Sequence, residues 1–199
     1  MKTLRFYALL GTLALAMVFV SCSKDETDAP FYSGPNGTSK DLSSFEKAGL
    51  LSLVEKQKLH RDIYDAMAEK IQEPIFSILS QNDAQYMELL AIIVDKNGLD
   101  NPIVGKTAGE YEDSQIQAEY DAFMRSNNFG WNQMLIYARQ MEEALIAEVQ
   151  FHGANLSGNT EIMKIYDDLM NESQSQLEAL NDEIKSVTNT ILPDAELEF

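Results

Sequence analysis

Asp83 and Glu142 are the side chains of this sequence best placed to do chemistry, because each carboxylate interrupts an apolar stripe that recurs at helical spacing. One stripe reads Phe76, Leu79, Asp83, Tyr86, Leu90, Ile93; another reads Leu135, Ala138, Glu142, Leu145, Val149. Two more segments are interrupted without a carboxylate. Gln57 and Arg61 fall among Leu50, Val54, Tyr64, Ala68 and Ile71, and Ser173 and Gln176 fall among Ile162, Tyr166, Leu169, Leu180 and Ile184. Interruptions at mid-length on four helical segments predict one polar layer across a four-helix bundle, the place where such bundles often keep a metal. Arg61 is the predicted counter-charge, since a guanidinium can grip one carboxylate through two parallel hydrogen bonds. The expectation is therefore a buried network of Gln57, Arg61, Asp83, Tyr86, Glu142 and Gln176 that fills the core in place of an ion. A bare carboxylate there would be very costly, so the alternative is a helix rotation that turns Asp83 or Glu142 to solvent.

The elements that must position these groups are helices. Ser43 and Glu46 have the spacing of a capping box, which starts a first helix running to about Gln72. Pro74 forbids simple continuation but suits a first turn, so a second helix begins there and ends at Gly98, a left-handed cap. A third runs from Trp131 to His152, stopped by Gly153, and a fourth from Thr160 to about Val187. Between them, residues 99–128 carry Pro102, Gly105 and Gly109 and then a short amphipathic stretch with Ile116, Tyr120, Phe123 and Met124. That is too long for a hairpin and suits a crossover with a short extra helix. The fold class expected is all-α, with one domain over residues 43–187 and a frayed tail over 188–199.

The run Gln57-Lys58-Leu59-His60-Arg61-Asp62-Ile63-Tyr64, opened by Glu46-Lys47-Ala48-Gly49-Leu50-Leu51 and followed by Pro74-Ile75-Phe76-Ser77, resembles the ferritin-like family known as domain of unknown function 2202. The resemblance covers roughly Glu46 to Leu180 and implies a ferritin-like four-helix bundle. Such bundles hold two metal ions with a Glu on each of two helices and a Glu-x-x-His pair on each of the others. Carried over, these positions fall on Gln57, on Asp83 and Tyr86, on Glu142, and on Ser173 and Gln176. The resemblance thus implies two carboxylates and no histidine where a full site has four and two. His60 and His152 lie off these positions and read as surface or helix-end residues, so no cofactor and no metal are expected at this vestigial site. A metal-dependent oxidoreductase or metal-handling protein, using di-iron or manganese, is the alternative; it would have to recruit Glu55, Glu143, Glu148 or Glu172 by a register change.

The N-terminus gives an address. Lys2 and Arg5 precede an apolar run from Phe6 to Val20, then Ser21 and Cys22, which is the layout of a secretory signal over residues 1–21. Phe19-Val20-Ser21-Cys22 resembles a loose lipobox, in which Cys22 is lipidated, and Ser23-Lys24-Asp25-Glu26 is similar to the tag that sends Bacteroidota lipoproteins to the outer leaflet. Residues 22–42, rich in turn formers, read as a tether. The expected location is the bacterial outer membrane, lipid-anchored and exposed at the cell surface. Cys22 is the sole cysteine, which excludes an internal disulfide and a thiolate cluster.

Among 199 residues, 32 Asp and Glu oppose 15 Lys and Arg, a net of −17; without Lys2 and Arg5 the balance is 13 against 32, or −19. Such a surface repels phosphate backbones, so nucleic acid is not an expected partner. No catalytic residues are assigned, because no nucleophile, base and orienting group form a recognisable set. The sequence points to a non-catalytic binding or structural module of the envelope with a protein partner of unknown identity. The remaining alternative is a surface receptor or adhesin, whose contact patch would be Tyr111, Tyr120, Phe123, Phe129 and Trp131 around the crossover.

Overall fold

The computed structural model describes residues 42–191, apart from 127, 128 and 157. The signal segment, Cys22, nearly all of the tether and the tail from residue 192 lie outside the described residues. Five helices make up the domain: α1 (Ser44–Lys70), α2 (Pro74–Lys96), α3 (Ser114–Arg125), α4 (Trp131–Gly153) and α5 (Thr160–Ile191). The architecture is an all-α bundle of four long helices, with short α3 carried on the crossover between α2 and α4. No helix among the described residues is long and apolar enough to cross a membrane.

Local chemistry sets the boundaries. At α1 the Ser43 amide donates to Glu46 Oε2 at 2.8 Å while the Glu46 amide donates to Ser43 Oγ at 3.2 Å, so two amides without a helical partner are satisfied. Pro74 stands at the start of α2, and Gly98 follows its end with φ +65°, the left-handed conformation that a side chain would resist. Asp113 caps α3 by accepting from the Gln115 and Ile116 amides. Asn159 Oδ1 does the same for the Glu161 and Ile162 amides at the head of α5. That helix runs on to Ile191, past the end expected at Val187.

Packing divides the interior into two apolar clusters. Leu50, Leu53 and Val54 of α1 meet Leu90 and Ile93 of α2, Leu145 and Val149 of α4, and Ile162, Ile165, Tyr166 and Leu169 of α5 in the first. Leu59, Ile63, Tyr64 and Met67 meet Phe76 and Leu79, Met134, Leu135, Ala138 and Met141, and Leu180 in the second. On α2, α4 and α5 the change of cluster falls at a buried polar residue: Asp83, Glu142, and Ser173 with Gln176. On α1 Gln57 falls at the change, between Val54 and Leu59, and His60 follows directly after it. A polar layer therefore lies between two apolar halves whose burial supplies most of the driving force for folding.

The crossover aromatics belong to the second cluster. Tyr111 and Phe123 are buried in it, and Tyr120, Phe129 and Trp131 pack against it partly covered. Phe123 stacks on Phe129 with centroids 6.0 Å apart, and Phe76 meets the edge of Trp131 at 5.5 Å. Their area closes one end of the bundle, an ordinary use of aromatic bulk.

Candidate functional site

The polar layer is built from one stretch of each long helix. Gln57, His60 and Tyr64 share a face of α1 because they are separated by three and four residues, one helical turn each. Asp83 comes from α2, Glu142 from α4, and Ser173 and Gln176, again one turn apart, from α5. All are buried, with exposures of 0% for Gln57, Tyr64 and Glu142, 2% for His60 and Asp83, 1% for Ser173 and 3% for Gln176.

Glu142 is the hub. Its Oε1 accepts from the Tyr64 hydroxyl at 2.6 Å and lies 3.3 Å from His60 Nδ1. Gln176 Nε2 donates to Asp83 Oδ1 at 3.2 Å. His60, Asp83 and Glu142 each offer a ligand atom, all within 4.8 Å of one another. Burial, then the charge of Glu142, pushes the Asp83 carboxyl well above the usual carboxylate range. Burial and the neighbouring Glu142 and Asp83 also raise the Tyr64 phenol, which stays protonated and acts as a donor.

Arg61 and His60 stand elsewhere than their sequence positions suggest. Arg61 does not neutralise the layer: its Nε and Nη2 donate to Asp62 Oδ1 and its Nη1 reaches Met87 Sδ at 3.3 Å. Tyr86 is half-buried and packs against the first apolar cluster, one turn away from Asp83 along α2. His60, expected at the surface, is buried against Glu142. It stands three residues after Gln57, and that i, i+3 spacing puts two side chains of one helix on a common ligand. His152 does lie at the end of α4, half-buried beside Phe45. The carboxylates that a register change might recruit are engaged elsewhere: Glu55 with the Glu112 and Asp113 amides, Glu148 with Ser52, Glu172 with Asn82, and Glu143 with Arg139.

What distinguishes the layer is incomplete satisfaction. Among the described residues, Gln57 Oε1 and Nε2, Asp83 Oδ2, Glu142 Oε2 and Gln176 Oε1 are buried without a hydrogen-bond partner. Each such group costs about 1–3 kcal/mol, so five in one layer are a large burden for a domain of ordinary stability. The four oxygens among them fit a cation: two carboxylates supply two negative charges, and an imidazole nitrogen and two amide oxygens can complete a shell. Oxygen with one nitrogen suits a divalent ion of the manganese or ferrous type. The set is too small for two ions and adequate for one.

A second polar cluster lies around Asp62, also on α1. Its Oδ2 accepts from Lys58 Nζ at 2.7 Å, the Gly109 amide at 2.9 Å and the Tyr111 hydroxyl at 2.7 Å. Lys58 Nζ also donates to the Thr107 carbonyl at 2.6 Å and sits 4.4 Å above the Tyr111 ring. Burial alone would raise the Asp62 carboxyl, but the bonds from Lys58, Gly109, Arg61 and Tyr111 outweigh it and hold the group below its ordinary value. This cluster fastens the crossover to α1.

Comparison with known proteins agrees with the helical architecture. An uncharacterized protein of Methanocaldococcus jannaschii, MJ0754, is 22% identical over 138 residues, 69% of this chain and 74% of that protein. The crystal structure of hypothetical protein MJ0754 from Methanococcus jannaschii superposes with a TM-score of 0.73 at 20% identity, over 77% of this chain and 87% of that one. That likeness concerns the fold alone. The family model described as an uncharacterized protein domain, DUF2202, matches residues 46–192, and the chain accordingly belongs to the DUF2202 family.

Proposed function

We propose that this protein is a lipid-anchored, ferritin-like domain of the bacterial cell envelope that holds one divalent cation between its four long helices, as a binding module rather than an enzyme. The observation that carries the reading is the convergence of His60, Asp83 and Glu142 within 4.8 Å in a layer where Gln57 Oε1, Asp83 Oδ2, Glu142 Oε2 and Gln176 Oε1 lack partners among the described residues. His60, Asp83 and Glu142 would hold the ion, with the amide oxygens of Gln57 and Gln176 completing the shell. Bound there, the cation would supply charge neutralisation and a cross-link among the helices. A free cation concentration about a hundredfold above the dissociation constant would stabilise the fold by about 2.7 kcal/mol.

Calorimetric titration of Mn2+ into chelator-treated protein tests the reading. One equivalent per chain is expected, with affinity lowered at least tenfold in His60→Ala and lost in Asp83→Asn. Heat-silent mixing, with no rise in the melting midpoint, would reject it in favour of a metal-free polar core. The anchor rests on the basic, apolar and Cys22 sequence of the N-terminus. Labelled palmitate should enter the wild-type chain and not Cys22→Ser, and equal recovery of both proteins in the soluble fraction would remove the anchor from the reading.

A further inference from the structure

A groove lies beside the polar layer, between α2 and α5. It has a volume of about 270 Å3, and its walls include Ile75, Ile78, Asn82, Glu172, Ser175 and Gln176. Gln176 belongs to both places. It lines the groove, yet only 3% of it is exposed, and its Nε2 reaches inward to Asp83 Oδ1 at 3.2 Å. The Gln176 side chain is thus the partition between the groove and a carboxylate of the candidate site. Beside it, Asn82 Nδ2 donates to Glu172 Oε1 at 2.7 Å and ties α2 to α5 across the groove. Asn82 directly precedes Asp83, and Glu172 lies one turn from Gln176.

The chemistry of this wall suits passage of a cation. Gln176 makes one hydrogen bond of ordinary length, and its carbonyl oxygen has no partner among the described residues. Glu172 places a carboxylate at the outer edge, where it attracts a dication before the Gln176 amide passes it inward. Gln57 and Glu142, on α1 and α4, are at 0% exposure and do not line the groove.

We infer that the cation enters and leaves through the α2–α5 groove, with the Gln176 side chain as its gate and the Asn82–Glu172 hydrogen bond as the latch. The inference rests on the cation-binding reading above. Its test uses the full chain, stripped of metal, with Co2+ alone as the probe: absorbance titration gives the affinity, and stopped-flow mixing gives the rates of uptake and of release to a chelator. Filling the groove with Ser175→Phe should slow both rates at least tenfold while the affinity stays within twofold. Removing the latch with Asn82→Ala should raise both rates at least threefold, which keeps the test decisive if the larger residue disturbs folding. Unchanged rates in Asn82→Ala, or in a folded Ser175→Phe, overturn the gate while leaving the site intact. Failure of the wild-type chain to take up Co2+ overturns the binding reading and the gate with it.

Discussion

Asp62 and Asp83 stand on neighbouring helices and are almost equally buried, at 3% and 2% exposure, yet their surroundings are opposite. Asp62 is saturated by Lys58, Arg61, Gly109 and Tyr111, including two full positive charges. Asp83 has one amide donor, a second carboxylate nearby and an oxygen with no partner among the described residues. A buried acid that is fully bonded holds the fold together, whereas one left short of donors is suited to receive something. Burial alone would have classed the two residues alike.

The largest effect that could break this contrast is expected at Asp62. Asp62→Asn leaves the buried Lys58 ammonium without its counter-charge and should cost about 3–5 kcal/mol in urea unfolding; a loss under about 1 kcal/mol would mean the cluster is not structural. Acid titration sharpens the same point. Because the folded-state value of Asp62 lies below its ordinary 3.8, its contribution is complete above that pH and is lost as pH falls through the folded value. The urea midpoint of the wild type should therefore drop more steeply below about pH 4 than that of Asp62→Asn, and parallel curves would contradict the assignment.

Asp83→Asn, in metal-free protein, should behave in the reverse sense. It replaces a buried carboxyl, whose ionisation burial and Glu142 oppose, with a neutral amide, so the unfolding free energy in urea is expected to hold or to rise by up to about 2 kcal/mol. A substantial fall would make Asp83 a structural residue like Asp62. The smallest effect is expected at Arg61→Met. The guanidinium is partly exposed and Lys58 remains beside Asp62, so the loss should be about 1 kcal/mol or less; a loss several times larger would return Arg61 to the role of core counter-charge.

The residues themselves explain what the sequence could and could not disclose. Helices were legible because Ser43, Pro74, Gly98 and Gly153 punctuate them and apolar periodicity fills the intervals. Gln57, Asp83, Glu142, Ser173 and Gln176 were legible as a layer because each interrupts a stripe that is apolar on either side. His60 was missed for a geometric reason. Residues 60 and 61 flank the line through Gln57 and Tyr64 on opposite sides, and α1 buries both Leu59 and Asp62 as well, so periodicity gives no single inward face. The seam Leu53, Gln57, His60, Tyr64, Met67, with steps of four and three, was the alternative stripe, and all of its members are buried. Arg61 falls on the stripe one turn from Gln57, whereas His60 lies off the positions that the family resemblance implies. The partner Arg61 found, Asp62, is adjacent in sequence and needed no fold to reach.

Glu55 receives the Glu112 and Asp113 amides and Asp62 receives the Gly109 amide, so a segment outside any helix has its N–H groups tied to carboxylates two turns apart on the central helix. In deuterium oxide these amides should resist exchange as firmly as the bundle itself. By that measure part of the connecting strap is interior scaffold, and a protease or an inserted sequence would find its weak points elsewhere.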